Sequence, residues 1–500
     1  MTYWLNVLLN RFSMYRLLSI TLSVLWGFAI FLSLLGLLPF SALAMIVSGA
    51  VLILASYLSN LLFGWLFGIR THSESTYITA LILFFIFSPS LLPTDIAALA
   101  LVAVIASGSK YLLAIRGRHI FNPAAIAAVI ISLTGITYAT WWVATPVMLP
   151  MVLVCAFLIL YKTRRLALGC VFLAVAIPLI LINYALNGQT LAEAVLALPS
   201  WPLLFLVGFM LSEPLTLPPR RWQQLTVGAV VAALFAIPFH IGAITGSPAL
   251  ALVVGNAIAF LFAQRHKITM TFQGRIQLTP TISEFIFKTQ EPIKFVAGQY
   301  MEITVPHAHK DGRGIRRIFS IVNAPGDTTV RFGVKMYDRS SSFKQALMNL
   351  QAGGQIEATG IGGDFVLPKK DDIPLLFIAG GIGITPFISH LLDLKKRAQH
   401  RDIILVHAVS SIDDISHVDA LVESGIHVIL VAETDIPMRD ASWIHYPSKH
   451  LTAQDIAKLV PDLSKRRVYI SGPPTMIDDI KYQLKRVGVN RVASDYFTGY

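Results

Sequence analysis

The first half of the chain is so poor in charge and so rich in long apolar runs that an ordinary water-soluble fold is excluded for it. Of the 500 residues, those up to 264 carry eleven lysines and arginines but only four acids, which are Glu74, Asp95, Glu193 and Glu213. The remaining residues hold 29 basic and 24 acidic side chains, a balance typical of a soluble protein. The composition therefore predicts a boundary near residue 265 between a membrane part and a soluble part.

Ten apolar runs can be distinguished within this first half. Each is close to the roughly 20 residues that a helix needs to cross the hydrocarbon layer of a bilayer. The runs lie near residues 17–38, 43–68, 76–93, 95–114, 123–141, 143–161, 166–186, 195–212, 223–240 and 247–264. We therefore predict an α-helical polytopic membrane bundle of about ten spans over residues 1–265. The first run is longer than the apolar segment of a signal peptide, which favours a retained anchor although Ala42-Leu43-Ala44 resembles a cleavage site.

The basic residues of this half test the span count, because lysine and arginine accumulate on the cytoplasmic side of membrane proteins. All of them fall before the first run or near or beyond the end of an even-numbered run: Arg11, Arg16, Arg70, Lys110, Arg116, Arg118, Lys162, Arg164, Arg165, Arg220 and Arg221. An even number of spans then places both termini in the cytoplasm. We expect a multi-pass protein of the plasma or inner membrane of a prokaryote, in contact with the lipid bilayer. Basic residues spaced between apolar runs form no single basic face, so we expect no nucleic-acid partner.

Two short polar motifs interrupt the apolar runs. Residues 119–125 read His-Ile-Phe-Asn-Pro-Ala-Ala, in which Asn122 and Pro123 form a good helix start. This helix start could bind an anionic phosphate group, or it could simply be a capped span with cytoplasmic anchors. Residues 211–216 read Leu-Ser-Glu-Pro-Leu-Thr, and Glu213 is either a functional intramembrane acid or an ion-pair partner of Arg220 or Arg221.

These motifs, together with the ten runs, resemble the RnfD/NqrB family over about residues 15–264. Members of that family are membrane components of Rnf-type electron transport complexes and of the sodium-pumping NADH:quinone reductase. The resemblance implies that the membrane part carries electrons and holds FMN or another flavin, with Asn122 among its binding residues.

In that family a covalent FMN is attached to a threonine of an extracytoplasmic loop. The nearest match here is Val143-Ala144-Thr145-Pro146, which lacks the serine and the acid that precede that threonine. A covalent flavin at Thr145 and a noncovalent flavin in the bundle are both open.

Haem and metal centres are less consistent with the sequence. Stacked haems need facing histidines on neighbouring helices, and the histidines before residue 266 are His72, His119 and His240, no two of which share a run. The two cysteines, Cys155 and Cys170, lie inside apolar runs, and the chain has no Cys-x4-Cys-x2-Cys cluster for an iron–sulfur centre. We therefore expect no metal site in this chain.

The second half of the chain predicts two further domains. Six short alternating segments between residues 268 and 359 are typical of a small antiparallel β-barrel, which we place at residues 266–372. From Pro374 onward buried strands alternate with helical segments, which predicts a doubly wound α/β domain at residues 373–500. The fold class is thus a membrane bundle followed by a barrel domain and a nucleotide-binding domain.

Three loop motifs in this half, Arg-Ile-Phe-Ser at 317–320, Gly-Gly-Ile-Gly-Ile-Thr-Pro at 380–386 and Ser-Gly-Pro-Pro-Thr-Met at 471–476, resemble the ferredoxin–NADP reductase family in order and spacing. The resemblance implies FAD and NADH or NADPH as cofactors. It implies that Arg317 neutralises a flavin phosphate, Phe319 stacks on the isoalloxazine and Ser320 donates a hydrogen bond near flavin N5. Ser341 and Ser342 open a helix whose free N–H groups fit a pyrophosphate, although serine also caps helices elsewhere.

The nicotinamide nucleotide is expected at the other two motifs. Glycine at a strand–turn–helix junction lets a dinucleotide approach the backbone, which suggests Gly381, Gly383, Thr385 and Pro386 as contacts. The resemblance places Ser471, Gly472, Pro473 and Met476 beside the hydride path, with Ser471 in place of the cysteine found in the family. Tyr500 or Phe497 could cover the flavin, or the C-terminal tail could simply be docked. No arginine follows the second strand of this domain, which favours NADH over NADPH.

Taken together, the sequence predicts a membrane-bound flavoprotein oxidoreductase. Cytoplasmic NAD(P)H would reduce FAD, and electrons would pass into the membrane part toward a quinone or an extracytoplasmic acceptor protein that contains flavin or metal. The alternative is a redox-driven or nucleotide-sensing ion transporter.

Overall fold

A computed structural model describes residues 9, 12–68, 73–115, 118–242, 244–262, 268–307, 315–337, 340–435, 440–489 and 491–496. For four of these residues, Arg118, Thr359, Ile412 and Tyr496, it describes the backbone alone. The chain divides into two compact units, residues 1–266 and 267–500. The domain boundaries placed after residues 265 and 372 from the sequence stay predictions.

The N-terminal unit is a bundle of apolar helices. In the described residues its helices are Met14–Leu34, Ala42–Leu66, Ser73–Ile86, Pro93–Leu112, Pro123–Thr134, Leu149–Lys162, Leu166–Leu186, Leu191–Ala197, Leu203–Phe205, Arg221–Ala236 and Pro248–Phe262. Short 3-10 turns occupy Leu198–Ser200 and Pro214–Thr216, and Leu206–Leu211 is wound as a π-helix. Two-residue strands form small hairpins, Ala114–Ile115 with Arg118–His119 and His240–Ile241 with Ile244–Thr245.

The ten apolar runs predicted ten membrane spans, but fewer of the described helices are long enough to be candidate spans. Four are long and apolar enough to cross a membrane: Met14–Leu34, Ala42–Leu66, Pro93–Leu112 and Leu166–Leu186. A fifth arises if the segments Leu191–Ser200 and Leu203–Leu211, bent by 47°, count as one broken span. The helix Ser73–Ile86 has 14 residues, about 21 Å at the rise of an α-helix, against a hydrocarbon layer of about 30 Å. A helical bundle is therefore present, and the ten-span topology stays a prediction.

The fifth run, predicted as a helix over 123–141, is helical only to Thr134 because Gly135 adopts a left-handed φ of 70° and ends the helix. The chain then runs on without a helix until Leu149. Within this segment the amide N–H of Trp141 donates to the carbonyl of Ile86 at 2.8 Å, and the indole of Trp142 donates to the carbonyl of Phe84 at 2.6 Å. The segment thus satisfies carbonyls at the end of the helix Ser73–Ile86, whose residues from Ile78 to Ile86 are all buried in the bundle core.

The C-terminal unit begins with a six-stranded antiparallel sheet, as the alternating pattern predicted. Its strands are β1 (Ile268–Gln277), β2 (Ile282–Lys288), β3 (Tyr300–Thr304), β4 (Arg316–Ser320), β5 (Thr329–Lys335) and β6 (Gln355–Gly362), in the order β4-β3-β6-β1-β2-β5. The two edge strands meet where the N–H of Val322 donates to the carbonyl of Arg331 at 3.0 Å. Alternate side chains fill a core rich in phenylalanine, including Phe285, Phe287 and Phe332.

A parallel sheet follows, also as predicted, and it has six strands. Its strands are β7 (Leu375–Gly380), β8 (Ile403–Ala408), β9 (His427–Ala432), β10 (Ile444–Pro447), β11 (Arg467–Gly472) and β12 (Val492–Tyr496), in the order β10-β9-β8-β7-β11-β12. The helices of this unit are Ser342–Met348, Thr385–Lys396, Val418–Ser424, Ala453–Leu459 and Pro474–Arg486. Every residue of β7 is buried, because alternate side chains enter a separate hydrophobic core on each face of the sheet.

The strand order reverses beside β7, and this position directs attention to one edge of the sheet. The chain builds β8, β9 and β10 on one side of β7 and then crosses to place β11 and β12 on the other. In doubly wound sheets, ligands bind at the carboxyl ends of the strands where the order reverses. The loops after β7 and β11 are therefore the first place to look for a site.

Candidate functional site

The glycines of the loop after β7 press against the loop after β11. A Cβ atom on Gly383 would lie 2.5 Å from the carbonyl oxygen of Ser471 and 2.6 Å from the Cα of Gly472, closer than real Cβ atoms approach backbone. A Cβ on Gly380 would meet the sulfur of Met476 and the ring of Pro473. Only glycine therefore permits these two loops to meet, which accounts physically for both motifs.

Gly381 differs from its neighbours because its exposed face is open. It adopts a φ of 50°, and no heavy atom lies within 4 Å of the position of a Cβ. A backbone without a side chain and with free space beside it is the arrangement that a dinucleotide needs for close approach. The structure thus brings Gly381, Gly383 and Gly472 together at the predicted position.

The polar side chains of the two motifs lie at this junction but are largely enclosed. Thr385 is buried at the start of its helix, and its hydroxyl donates to the carbonyl of Ile382 at 3.2 Å, while Pro386 follows within the first turn. Ser471 is fully buried, and its Oγ has no hydrogen-bond partner among the described residues. An unpaired buried hydroxyl beside a glycine cradle fits a site that receives polar groups from a nucleotide.

The structure adds an acid that the sequence motifs did not indicate. Asp495 lies on β12, directly beside Ser471 in the strand register, and is 6% exposed. The hydroxyl of Ser320, at the end of β4, donates to its Oδ2 at 3.3 Å. Burial raises the pKa of Asp495 to about 7, and the hydrogen bond from Ser320 opposes part of that rise. This carboxyl can therefore hold or release a proton near neutral pH.

Asp495 could have been suspected only from its neighbourhood. It lies within a short strand near the end of the sequence, and nothing in that stretch resembles a motif used above. Its importance arises because β12 lies next to β11 and faces the end of β4 of the antiparallel sheet. Two strands that are 175 positions apart in sequence meet there, and local pattern does not report such a contact.

In the Arg-Ile-Phe-Ser strand, Arg317 and Phe319 contact other parts of the protein at the atoms that were expected to contact a flavin. The Arg317 guanidinium lies 5.2 Å from the centre of the Phe343 ring and donates to the carbonyl of Arg316 at 2.7 Å. Phe319 is 2% exposed and packs against Phe332 and Phe343 in the barrel core. Stacking of Phe319 on the isoalloxazine stays a prediction, and it requires a ring face that this structure does not expose.

The two serines predicted for the pyrophosphate begin the helix Ser342–Met348. The hydroxyl of Ser341 accepts from the N–H of Lys344 at 3.4 Å and so caps the helix. The hydroxyl of Ser342 lies 3.0 Å from Nε2 of His307. Both hydroxyls therefore have partners within the protein, and their contact with a pyrophosphate stays a prediction.

The antiparallel sheet and the parallel sheet are held together by polar contacts close to this site. The hydroxyl of Thr279 donates to the carbonyl of Asp413 at 2.6 Å, and Lys335 pairs with Asp414. Nε2 of His417 lies 3.0 Å from a carboxylate oxygen of Glu284, and both side chains are almost fully buried. These contacts fix the segment after β8 against the barrel.

In the N-terminal unit, Asn122 is the centre of a buried polar network. Its Oδ1 accepts from the N–H groups of Ala124 and Ala125, each at 3.1 Å, and its Nδ2 donates to Glu213 at 2.9 Å. The other carboxylate oxygen of Glu213 lies 3.5 Å from Nε2 of His119, and the N–H of Asn122 donates to Asn256 at 2.8 Å. The helix N-terminus is thus already capped internally, and binding of a flavin phosphate by Asn122 stays a prediction.

Three predicted residues gain no support from the structure. The Oγ1 of Thr145 is buried and has no hydrogen-bond partner among the described residues, so attachment of a flavin there stays a prediction that requires the hydroxyl to become accessible. Tyr500 and Phe497 lie outside the described residues. Among those residues, no group of three or more potential metal-binding side chains is present.

Comparison with known proteins identifies the second unit. Residues 377–482 match the family profile described as the oxidoreductase NAD-binding domain. The chain is 26% identical over 210 residues to the phenol hydroxylase P5 protein of Acinetobacter pittii, covering 40% of this chain and 56% of the relative. It is 35% identical over 130 residues to the reductase subunit of an Amycolatopsis aromatic O-demethylase, covering 25% of this chain and 37% of the relative.

Among solved structures, the Amycolatopsis cytochrome P450 reductase GcoB aligns at 25% identity and a TM-score of 0.40, covering 46% of this chain and 70% of that protein. The chain spans little more than half the length of the phenol hydroxylase relative and less than half that of the demethylase relative. The profile falls on the parallel sheet that carries the glycine loops. The second unit is therefore a reductase module that uses FAD and NAD(P)H, carries an oxidoreductase NAD-binding domain and is similar to modules of the ferredoxin–NADP reductase type.

Proposed function

We propose that the whole chain is a membrane-bound flavoprotein oxidoreductase that takes reducing equivalents from cytoplasmic NAD(P)H and delivers electrons into its membrane unit. The observation that carries this proposal is the junction of the loops after β7 and β11, where Gly381 leaves space beside the backbone and Gly383 touches Ser471 and Gly472. The Ser320–Asp495 pair lies at the neighbouring strand end.

The residues at the junction fit the two cofactors of such a module. FAD, when bound, supplies an acceptor for the hydride of NAD(P)H and a donor of single electrons. Gly381 and Gly383 would admit the nicotinamide nucleotide to the backbone at the end of β7. Ser320 would hold Asp495 in place through its hydroxyl, and Asp495 would exchange a proton at Oδ2 near neutral pH. Arg317 would offer a positive charge to a phosphate.

The membrane half of the proposal rests on the apolar helices. Four or five candidate spans among the described residues support a protein embedded in a membrane. We propose that this is the plasma or inner membrane of a prokaryote, with the reductase module on the cytoplasmic side where NAD(P)H is available. The hydrocarbon layer is about 30 Å thick, so an electron that crosses it needs a carrier within the bundle or in a partner. We propose a flavin in the bundle, and a quinone or an extracytoplasmic flavin- or metal-containing protein as acceptor.

The names of two relatives suggest a hydroxylase or a demethylase partner as a second kind of acceptor. These relatives are a phenol hydroxylase protein and the reductase subunit of an aromatic O-demethylase. We nevertheless favour an acceptor reached through the membrane, because the reductase module of this chain follows about 265 residues of apolar helices.

Purification of the full chain in detergent tests the first step. The protein should be yellow, release FAD on denaturation and oxidise NADH, or NADPH, with a soluble dye as acceptor. Arg317→Ala should lose most of the flavin, because a flavin phosphate would lose its counter-charge. A colourless protein that ignores both nucleotides would contradict the proposal.

A further inference from the structure

A buried histidine on β8 contacts the glycine loop from the neighbouring strand. His407 pairs in register with Ala379 of β7 and with Leu430 of β9, so it lies within the sheet one strand from the loop. Its side chain is 0% exposed, and Nε2 lies 3.0 Å from the carbonyl oxygen of Gly381. The motifs discussed above do not include this residue.

The protonation state of His407 follows from its surroundings. Burial lowers its pKa to about 4, because a charged imidazolium would lose its hydration. The ring is therefore neutral at physiological pH and carries one proton. Since Nε2 faces a carbonyl oxygen, which can only accept, Nε2 must be the protonated nitrogen and donates to Gly381.

The environment of the other ring nitrogen, Nδ1, indicates that packing alone does not explain a histidine at this position. Nδ1 is buried and has no hydrogen-bond partner in the described part of the chain. A buried acceptor without a partner is unfavourable, and an apolar side chain of similar size would avoid it. Among the described residues, the bond from Nε2 to Gly381 is the hydrogen bond that the ring makes, so the benefit of a histidine here lies in that bond.

Gly381 is the residue of the loop whose orientation matters most for a ligand. Packing against the loop after β11 fixes Gly380 and Gly383, whereas Gly381 has free space beside its Cα and a left-handed φ. Glycine in this position has many accessible backbone conformations. A hydrogen bond to its carbonyl selects one of them before a nucleotide binds, which lowers the entropy cost of binding.

We propose that His407 is a positioning residue for the nicotinamide nucleotide: it fixes the Gly381 peptide so that the loop after β7 is preorganised to receive the dinucleotide. This inference rests on the proposed function, because it assigns the loop to nucleotide binding. His407 itself touches neither the nucleotide nor the reacting atoms. Its contribution is the same before and during hydride transfer, so it affects binding and leaves the chemical step unchanged.

Nearby charges do not change this role across the working pH range. Asp414 and His417 are the ionisable groups that influence His407. Asp414 is paired with Lys335 and accepts from the N–H of Ser410, and His417 is paired with Glu284. Burial outweighs both influences on the pKa of His407, so the ring stays a neutral donor.

Substitution of His407 in the full-length protein tests the proposal. His407→Leu keeps the volume and removes the donor, and His407→Gln places an amide N–H near the position of Nε2. His407→Asn carries a shorter amide that cannot reach the carbonyl. We expect the Leu and Asn variants to raise both the KM for NADH and the Kd for NAD⁺ about tenfold, the size expected from one net hydrogen bond, with kcat within about twofold of the parent. The Gln variant should stay within about threefold of the parent.

The readouts separate this inference from the proposed function. The Kd for NAD⁺ is measured by calorimetry and does not depend on turnover, and flavin content and thermal midpoint are recorded for each variant. Equal affinity in the Leu and parent proteins, or equal loss in Gln and Asn, would overturn the positioning role. If the Leu variant does not fold, the Gln and Asn pair decides. A parent that binds NAD⁺ but never oxidises NADH would contradict the proposed function while the binding comparison still tests His407.

Discussion

The two units place their buried polar groups in different ways. In the reductase module these groups lie at strand ends, where two glycine loops and the Ser320–Asp495 pair meet. In the helical unit they lie within the bundle, where Asn122, Glu213 and Asn256 connect helices that are far apart in sequence. The first arrangement depends on backbone shape and the second on side-chain networks. Substitutions should therefore affect the two units for different physical reasons.

The largest effect is expected where backbone meets backbone. Gly383→Val should abolish NAD(P)H oxidation, because its side chain would overlap the backbone of Ser471 and Gly472. We expect a loss of more than about 100-fold in kcat/KM for NADH and about 3 kcal/mol or more in stability, in the range of severe overpacking. Steady-state kinetics and thermal denaturation measure both quantities.

Gly274→Ala is the matched control, because a Cβ there meets no atom within 4 Å and the φ is ordinary. It should change kcat/KM by less than about twofold and cost no more than a few tenths of a kcal/mol, as surface changes do. Wild-type kinetics in Gly383→Val would refute the contact between the loops.

The second effect depends on pH. The pKa of Asp495 is raised in the folded protein to about 7 from an ordinary 3.8, so the folded state holds its proton more tightly than the unfolded chain. The group's contribution to stability is therefore complete below about pH 4 and is lost as the pH rises toward 7. Asp495→Asn should be more stable than the parent at pH 8, by up to about 4 kcal/mol, with little difference at pH 4.

Denaturation scans of both proteins at the two pH values measure this difference. NADH oxidation by Asp495→Asn should also lose its pH dependence near 7, since the amide cannot exchange a proton. Parallel stability curves for parent and variant across this range would show that Asp495 is ionised in the folded protein.

A smaller effect is expected in the helical unit. Glu213→Ala should cost about 1–3 kcal/mol, because it leaves the amide of Asn122 without its acceptor and removes the carboxylate that lies 3.5 Å from Nε2 of His119. Dye reduction by NADH should stay unchanged, since the reductase module forms a separate compact unit. Thermal melting in detergent and dye assays on the same sample measure both.

Glu193→Ala is the control, because Glu193 only completes an exposed capping box with Thr190 and should cost about 0.5–1 kcal/mol. A loss of NADH oxidation in Glu213→Ala would show that the helical unit affects the reductase module.

The smallest expected effect is a shift in the pKa of Asp495, which tests whether this carboxyl holds the proton. Ser320→Ala removes the hydrogen bond that lowers the pKa of Asp495, so the pKa should rise further. The pH at which NADH oxidation changes should move upward by less than about one unit, which corresponds to about 1 kcal/mol. A downward shift would mean that the hydroxyl does not stabilise the carboxylate.

The sequence predicted most of the reductase module because its signals are local. Alternating residues predicted the antiparallel sheet, and buried strands between helical segments predicted the parallel sheet. Glycines at a strand–turn–helix junction predicted the loop from Gly380 to Pro386. Asp495 and His407 were not predicted, since their roles depend on strands brought together from distant parts of the chain. Phe319 shows a different limit, because sequence placed it on a strand but did not show which side faces the core.

The helical unit was harder to predict in detail. Apolar runs located the helices, but hydropathy does not show where a left-handed glycine ends one, as Gly135 does, or where a helix breaks, as at the 47° bend before Leu203. The network of Glu213 joins Asn122 across 91 positions, and the sequence motifs contain only its separate parts. Side-chain networks of this kind require the fold before they can be recognised.

The central claim is that electrons pass from the reductase module into the membrane unit. The most direct test reconstitutes the full chain into sealed vesicles with the module facing outward, a quinone in the bilayer and ferricyanide trapped inside. NADH added outside should reduce the quinone or the trapped ferricyanide, and Gly383→Val vesicles should reduce neither. Rapid reduction of an external dye with no change in the quinone or the trapped acceptor would contradict the account and leave a reductase whose membrane unit carries no electrons.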